Sequence, residues 1–295
     1  MTELLERSCP ICHSKENKYF LTCIDKTVSE EKFNIVKCGK CDFHFTNPIP
    51  FEKNIANYYK SENYISHSDT AASLQDKLYH LIRKYTVKQK TKLIQSVNNG
   101  KTDSLLDIGC GTGYFLQYAQ KKGWVIHGFE PDGGARKIAE ENTGHIIWDS
   151  IERIQHQTFK IITLWHVLEH VYDLSHSLKL IKESLHKDGK LIIAVPNYES
   201  FDAGVYQQYW AAYDVPRHLY HFSKKTLTHI LNNYNLTIQE IRPMYFDSYY
   251  VSLISEKYKG TKNPISVMWN SLVNGTRSNI NKNNTSSLLY IVSHS

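Results

Sequence analysis

The chain has 295 residues, enough for one or two domains with a full-sized core, and its 41% hydrophobic and 22% charged content is typical of a globular protein. Its longest apolar runs, Ile161–Trp165 and Leu191–Val195, are too short to cross a bilayer, and the N-terminus lacks the apolar region of a secretory signal. We therefore expect a cytoplasmic protein without a membrane span.

The net charge of +6 comes from lysines that are scattered along the chain. We interpret the basic cluster Arg83–Lys92 as a solvated helix face, as most charge runs are. This distribution allows a nucleic-acid partner but does not favour one, because nucleic-acid binders usually concentrate their cations in a stripe.

Two Cys-x-x-Cys pairs lie in the first 50 residues, Cys9 with Cys12 and Cys38 with Cys41. In a cytosolic protein such pairs are more often metal ligands than disulfides. Four thiolates form the closed tetrahedral site of a structural zinc ion, and a segment of this size needs such support because it cannot build much core alone. The spacing predicts a zinc ribbon over residues 1–50.

Residues 51–97 begin with an aromatic segment and continue with apolar residues at helical spacing. We expect a helical lid here, with Tyr59 and Tyr64 reaching an acceptor substrate. From residue 98 to 295, alternating strands and helices predict an α/β domain with a parallel sheet. The predicted strands are Ser104–Ile108, Trp124–Phe129, His145–Trp148, Lys160–Leu164, Lys190–Val195, Leu236–Pro243 and Ser287–Ser293.

A glycine-rich loop follows the first of these strands, in the segment Leu105–Gly113 with the sequence LLDIGCGTG. Ligands of open α/β sheets bind at such strand ends. A dinucleotide fingerprint that starts at Gly109 would need its third glycine at position 114, which is the bulky Tyr114. S-adenosylmethionine has no pyrophosphate and carries an ammonium and a sulfonium, so Asp107 beside the loop favours it. The alternative is a tight turn without a ligand.

Further residues complete the predicted cofactor site. Glu130 ends the second strand, where an acid accepts hydrogen bonds from ribose hydroxyls. Asp149 follows the third strand and is a candidate for the adenine amino group, although an ordinary loop carboxylate is nearly as good an interpretation. The remaining predicted cofactor contacts are the loop residues Gly109, Cys110, Gly111 and Gly113, with Pro131 and Trp165.

The motifs DIGCGTG, GFEPD, LWHVLEHV, VPN and DVPRHLYHFS, within residues 100–225, resemble those of the class I S-adenosylmethionine-dependent methyltransferases. The subgroup they resemble includes ubiquinone-biosynthesis O-methyltransferases and enzymes of cell-surface sugar pathways. The resemblance implies a Rossmann-like sheet, mostly parallel with its last strand antiparallel. A zinc ribbon in front of this domain resembles sugar C-methyltransferases of deoxysugar biosynthesis and certain ribosomal RNA guanine methyltransferases.

The segment after the fourth strand contains His166, Glu169 and His170. In the ubiquinone O-methyltransferases the same stretch resembles Glu-x-x-Glu-His, which is associated with a divalent metal. Here His166 replaces the first acid, and His/Glu/His is also able to bind a metal. The alternative is that Glu169 and His170 cap and pack the following helix. The sequence lacks the Asn/Asp-Pro-Pro-Tyr/Phe box typical of amino methyltransferases of nucleic acids.

The segment at residues 201–223, between the fifth strand and the next helix, is dense in Tyr, Trp and His and suits a pocket wall. The alternative is a well-packed aromatic loop over the sheet. In sugar C-methyltransferases a Tyr-x-Glu-His segment occupies this place, and His218 falls on the catalytic histidine of that family. Arg217 replaces the glutamate, which disfavours C-methylation. We expect His218 to be the general base, with His166 and Tyr220 as orienting residues. Arg217 and His221 are expected to contact the acceptor, and Arg217 suits an anionic group.

The sequence therefore predicts methyl transfer from S-adenosylmethionine to a small-molecule acceptor. We expect a sugar or nucleotide-linked sugar of surface-polysaccharide or secondary pathways, methylated on oxygen rather than carbon. Two alternatives remain at this point. One is an RNA methyltransferase whose ribbon grips nucleic acid, and the other is a non-catalytic module that binds S-adenosylmethionine.

Overall fold

The computed structural model describes residues 3–59, 74–280 and 284–295, so Tyr64 lies outside the described residues. The N-terminal region contains β1 (Leu4–Leu5), β2 (Asn17–Ile24), β3 (Lys32–Cys38), β4 (His44–Thr46) and β5 (Ile49–Pro50), followed by the short α1 (Glu52–Ile55) and a 3₁₀ turn at Ala56–Tyr59. Strands β2, β3 and β4 form an antiparallel sheet, and β1 pairs with β5.

The rest of the chain alternates helices and strands. Its helices are α2 (Leu74–Val97), α3 (Tyr114–Gln120), α4 (Gly133–Thr143), α5 (Leu174–Ser184), α6 (Phe201–Tyr206), α7 (Lys224–Asn232), α8 (Tyr245–Lys259) and α9 (Pro264–Ile280). Its strands are β6 (Ser104–Ile108), β7 (Val125–Phe129), β8 (Phe159–Trp165), β9 (Leu185–Pro196), β10 (Tyr220–His221), β11 (Leu236–Pro243) and β12 (Ser287–His294). None of the described helices is long and apolar enough to cross a membrane.

The large sheet has the strand order β11-β12-β9-β8-β6-β7. Strands β6 to β9 are parallel, and β12 is antiparallel to both of its neighbours. Helices cover both faces, which explains why most of β8 and the second half of β9, residues 191–196, are nearly continuous runs of buried apolar residues. The predicted mostly parallel sheet with an antiparallel last strand is confirmed.

The predicted third strand, at residues 145–148, is wrong. Only one bridge forms there, between Phe129 and Trp148. Gly144 ends α4 in the left-handed conformation, and a 3₁₀ turn begins at Ile151. Between them the chain pairs beside β7 at Trp148 alone, whose N–H donates to the Gly128 carbonyl and whose carbonyl accepts from the Glu130 N–H, each at 2.9 Å.

The N-terminal sheet and the large domain are continuous in space. Strand β10 pairs with β4, and the Thr46 N–H donates to the Leu219 carbonyl at 3.0 Å. Phe43 and Phe45 pack in the same core as residues of the large sheet. The proposed boundary at residue 50 therefore separates sequence segments that share one sheet and one core.

Helix α2 packs on the large sheet beside the glycine loop. Ile94 is buried with Leu105 and Leu116, which fixes the C-terminal half of α2 against α3 and β6. This packing directs two cations of α2 at aromatic rings: the Arg83 guanidinium lies 3.6 Å from the centroid of the Tyr114 ring, and Lys90 lies near Trp165.

Candidate active site

The glycine loop connects β6 to α3 in a conformation that requires glycine at three positions. Gly109, Gly111 and Gly113 have φ angles of 69°, 56° and 76°. A Cβ atom on Gly109 would lie 2.5 Å from Val167 Cγ2, and one on Gly113 would lie 2.9 Å from Ala139. At Gly111 no heavy atom lies within 4 Å of such a Cβ atom among the described residues. The outer two glycines serve packing, and the middle one leaves an open face for a ligand.

Glu130 lies against this open face. Its carboxylate accepts hydrogen bonds from the N–H groups of Gly111, at 2.8 Å, and Asp132, at 3.0 Å. Burial raises the pKa of Glu130, and the two backbone donors oppose that rise. The acid predicted to bind a ribose is thus tied to the loop that would hold the ligand. Pro131 and Asp149 are exposed near it.

Asp107 lies beneath the loop at the end of β6 and is 3% exposed. Its carboxylate accepts a hydrogen bond of 2.6 Å from the Thr163 hydroxyl. Burial raises the pKa of Asp107 to about 7, although Thr163 and Lys90 lower it. Cys110 is half-buried in the loop, and burial raises the pKa of its thiol, which keeps it neutral.

Lys90 is a site residue that the sequence interpretation missed. Its ammonium lies 4.4 Å from the centroid of the Trp165 ring and 5.9 Å from that of Phe115. Burial lowers the pKa of Lys90, while the charges of Asp107 and Asp247 raise it. The interpretation of Arg83–Lys92 as a solvated face is therefore wrong for Lys90. The sequence feature that could have identified Lys90 is its spacing from Arg83, because residues seven apart lie on the same face of a helix.

His166 follows β8 with a positive φ of 57° and lies between two carboxylates. Its Nε2 donates to Asp247 at 3.0 Å, and its Nδ1 lies 3.4 Å from Glu169. Burial disfavours the charged ring, but the hydrogen bond to Asp247 and the negative charges of Asp247 and Glu169 outweigh that effect and raise the pKa of His166 to about 10. The imidazolium is therefore the neutral-pH form, which suits electrostatic orientation and not proton acceptance.

A second group joins Glu169, His170 and His218, whose ligating atoms lie within 4.8 Å of one another. Glu169 is 0% exposed, and neither of its oxygens has a hydrogen-bond partner among the described residues. The His218 Nδ1–H donates to the Ala212 carbonyl at 2.8 Å, and the His170 Nδ1–H donates to the Arg217 carbonyl at 3.0 Å. Both rings thus keep Nε2 as an acceptor. Burial lowers the pKa of His170 to about 4, so this ring is neutral.

The chemistry of this group suits either a proton or a divalent cation, because a carboxylate and two neutral imidazoles oriented by carbonyls are ordinary metal ligands. The residues that converge are Glu169, His170 and His218, and His166 points to Asp247 instead. Tyr59 reaches this group, since its hydroxyl lies 3.0 Å from His170 Nδ1.

Three residues predicted to act on the acceptor have structural roles, which corrects those predictions. Arg217 is 1% exposed and donates to Asp214, to Asp25 at 2.9 Å and to the Tyr58 carbonyl at 2.7 Å. Tyr220 is buried in β10 and donates to the Tyr172 carbonyl at 2.9 Å. The His221 Nε2–H donates to the Thr46 hydroxyl at 3.0 Å. All three hold the N-terminal sheet to the large domain.

The four cysteines converge as their spacing predicts. Cys9 Sγ lies 3.5 Å from Cys41 Sγ, Cys12 Sγ lies 3.5 Å from Cys38 Sγ, and all four sulfurs lie within 4.8 Å of one another. In a tetrahedral site with Zn–S bonds of about 2.3 Å the sulfurs are about 3.8 Å apart. The residues present therefore fit a zinc ion, which they could hold as a closed four-thiolate site.

Comparison with known proteins agrees with this geometry. A family model described as a methyltransferase domain matches residues 79–241, more than half of the chain. The chain belongs to this family. It is 29% identical over 123 residues to the ubiquinone biosynthesis O-methyltransferase of Pasteurella multocida, which covers 36% of this chain and 51% of that protein.

A second relative is the tRNA U34 carboxymethyltransferase of Helicobacter hepaticus, 27% identical over 138 residues, 41% of this chain and 44% of the relative. The chain thus spans about half the length of these two curated relatives. Among solved structures, the magnesium protoporphyrin IX methyltransferase of Synechocystis PCC 6803 has a TM-score of 0.54 at 11% identity, covering 83% of this chain and all of that chain. A methyltransferase of Archaeoglobus fulgidus has a TM-score of 0.52 at 17% identity, covering 80% and 100%. The predicted class I methyltransferase fold is confirmed.

Proposed function

We propose that the protein transfers a methyl group from S-adenosylmethionine to a hydroxyl of a small-molecule acceptor. The observation that carries the donor assignment is the open face of Gly111 beside the carboxylate of Glu130, above the buried Asp107. These groups fit a ligand with ribose hydroxyls and a cationic amino-acid end. Bound there, S-adenosylmethionine supplies an electrophilic methyl group on its sulfonium.

Lys90 completes the donor site in this proposal. The amino-acid end of S-adenosylmethionine carries an ammonium and a carboxylate, so it needs an anion and a cation side by side. Asp107, near the end of β6, and Lys90, which α2 places over Trp165 at the end of β8, are such a pair. The cation–π contact with Trp165 already restrains the Lys90 side chain. Less conformational entropy is therefore lost when a carboxylate binds to its ammonium.

His218 is the proposed general base. Its Nδ1–H is fixed by the Ala212 carbonyl, so Nε2 is the basic nitrogen. Nε2 takes the proton of the acceptor hydroxyl as that oxygen attacks the methyl carbon, and the bond from sulfur to that carbon breaks. The imidazolium that forms is stabilised by Asp214, 3.9 Å away, and by the neighbouring Glu169. His166 and Tyr59 border this group and orient the acceptor.

The acceptor is proposed to be a sugar or a nucleotide-linked sugar. Histidines and tyrosine at this group offer several hydrogen-bonding atoms at short range, as recognition of a polyhydroxylated ligand requires. The zinc ion proposed for the four cysteines is structural, because it would hold together the sheet that β10 completes. In this proposal the zinc ribbon stabilises the acceptor side and does not bind RNA.

Two measurements test this function. Calorimetry should show S-adenosylmethionine and S-adenosylhomocysteine binding with one site per chain, and NAD should not bind. Transfer of a labelled methyl group should then be detected to members of a nucleotide-sugar panel and not to ribosomal or transfer RNA. Transfer to RNA would overturn the acceptor assignment, and absence of both cofactor binding and transfer would overturn the function.

A further inference from the structure

Strands β11 and β12 are joined by a helical hairpin, α8 and α9. In α9 the large apolar side chains face outward, whereas in an ordinary surface helix they face the core. Its outward face carries large apolar side chains, and its inward face carries mostly small residues. The outward residues, at helical spacing, are Ile265, Met268, Trp269 and Leu272, with 74%, 68%, 65% and 53% exposure. The inward residues are Val267, Ser271, Gly275 and Ser278. We call the outward set the outer face of α9.

The rotation of α9 is fixed by close packing against α8. Ser248, Ser252 and Ser255 of α8 are fully buried, so the two helices approach closely. A Cβ atom on Gly275 would lie 2.5 Å from the Tyr249 ring. No space remains between the helices for Met268 or Trp269, so these apolar side chains stay outside for a structural reason.

The exposed charges of the hairpin have one sign. Over residues 245–280 the cations are Lys257, Lys259, Lys262 and Arg277, and all four are exposed. The two carboxylates of this segment are engaged: Asp247 binds His166, and Glu256 is buried and accepts from Thr261 and Asn270. The hairpin therefore combines an apolar face with cations and no unengaged carboxylate within this described segment.

We propose that the outer face of α9 lies on an anionic lipid bilayer. An apolar helix face with Trp, flanked by basic residues, inserts into the headgroup region without crossing the membrane. The apolar side chains would enter the boundary of the acyl chains, and the lysines would meet the anionic headgroups through their flexible stems. This placement is parallel to the surface, in keeping with the absence of a described helix that could span a bilayer.

Two other occupants fit these observations less well. A second copy of the chain, related by a two-fold axis, would bring identical cations of the two hairpins together, which like-charge repulsion disfavours. RNA matches the charge, but its phosphate backbone gives no gain to exposed isoleucine, methionine and leucine. Both remain distinguishable outcomes of the test.

Trp269 is a reporter for this surface. The fluorescence difference between wild type and Trp269→Phe isolates its emission from that of the other four tryptophans. We expect a blue shift with vesicles of equal parts phosphatidylglycerol and phosphatidylcholine, and none with phosphatidylcholine alone. Added salt should reverse part of the binding. An unshifted Trp269 spectrum with the anionic vesicles would overturn the proposal.

Co-sedimentation of the full chain with the same vesicles gives the affinity. The double variant Met268→Gln and Leu272→Gln should bind about tenfold more weakly or worse, because two apolar anchors are lost. The control Ile146→Gln removes a side chain that is 83% exposed outside the hairpin and should change nothing. Circular dichroism checks that each variant folds. Equal binding by the double variant, a dimer that this variant dissociates, or RNA binding that it abolishes would each contradict the proposal.

Discussion

The proposed donor side and the proposed acceptor side of the site are built in different ways. The donor side consists of one short loop and the ends of adjacent parallel strands, so the Gly111 N–H and the Glu130 carboxylate meet across 19 residues. On the acceptor side, Arg217 meets Asp25 across 192 residues, and Thr46 donates to the His218 carbonyl across 172. The acceptor side therefore depends on the N-terminal sheet being in place.

Under the proposed function, this difference predicts which part of the molecule selects the acceptor. The loop and its acids are supported by the large sheet and the helices packed on it, without the N-terminal sheet, and they fit the donor of the proposed reaction. His170 and His218 are held by carbonyls of a segment that the ribbon fixes through Arg217. A change in the ribbon can therefore alter the acceptor side while the donor side stays intact, and the following variants examine this separation.

The largest expected effect is on the chemical step. The variant His218→Asn keeps a donor to the Ala212 carbonyl but removes the basic Nε2. We expect kcat to fall by about 100- to 10,000-fold, the usual contribution of a general base, while the Kd of S-adenosylmethionine stays the same. Kinetics with calorimetry measure the two quantities.

A matched control for this variant is His229→Asn, which changes an exposed histidine on α7. It should leave both kcat and cofactor affinity unchanged. If His218→Asn retains wild-type kcat, His218 is not the base, and the Glu169, His170 and His218 group has another role.

The next largest effect is on the free energy of unfolding, and it concerns Arg217, which connects the N-terminal sheet to the large domain. Arg217→Met leaves the buried carboxylate of Asp25 and the half-buried carboxylate of Asp214 without their cation. Removing one partner of a buried ion pair costs about 3–5 kcal/mol of the free energy of unfolding. Urea unfolding of the variant and the wild type measures this loss.

The exposed pair of Arg242 and Glu240 is the control, with 39% and 49% exposure of its side chains. Arg242→Met should cost about 1 kcal/mol or less, because exposed ion pairs contribute little. A loss of the same small size for Arg217→Met would show that the N-terminal sheet is not held by this residue.

The contrast between the two sides also explains what the sequence could predict. The loop, Glu130 and the four cysteines follow from short spacings and from the rule that parallel strands end at one edge of the sheet. Arg217 was predicted to face the acceptor because its partner Asp25 is remote in sequence and gave no local signal. Lys90 was missed because its place over Trp165 depends on the rotation of α2, which Ile94 sets by packing.

A smaller effect is expected on ligand affinity when the cation proposed to bind the carboxylate of the donor is removed. Lys90→Gln should weaken binding of S-adenosylhomocysteine by about 10- to 100-fold, as for a hydrogen bond between charged groups. It should not weaken binding of 5′-methylthioadenosine, which lacks the amino-acid end. Isothermal titration with both ligands gives the comparison.

Lys88→Gln is the control for this variant, because Lys88 is an exposed cation on the same helix. It should bind both ligands as the wild type does. Equal weakening of both ligands by Lys90→Gln would mean that Lys90 supports the loop and does not meet the carboxylate. Failure of the wild type to bind either ligand would instead contradict the donor assignment itself.

The smallest effect is a pH dependence that resides wholly on the donor side. The pKa of Asp107 is raised to about 7, from an ordinary value of 3.8, because the carboxyl is buried. Its neutral form is favoured in the free protein, so its contribution to stability is largest at low pH and is lost as pH rises from about 4 to about 7. The ammonium of S-adenosylmethionine needs the ionised form. We therefore expect the affinity to fall below pH 7 by at most about tenfold per pH unit and to level off above it.

Asp107→Asn separates these two consequences. Its affinity for S-adenosylmethionine should be weak and nearly independent of pH, while its stability relative to the wild type should increase as pH rises from about 4 to about 7. Calorimetry and urea unfolding across that interval measure both. A wild-type affinity that stays constant from pH 5 to 8 would contradict a direct pairing of Asp107 with the ammonium. In the wild type, the affinity for S-adenosylmethionine should rise with pH while the free energy of unfolding of the free protein, relative to that of Asp107→Asn, falls. This opposite dependence would show that an ionised Asp107 destabilises the free protein and that the ammonium of the bound ligand offsets the destabilisation.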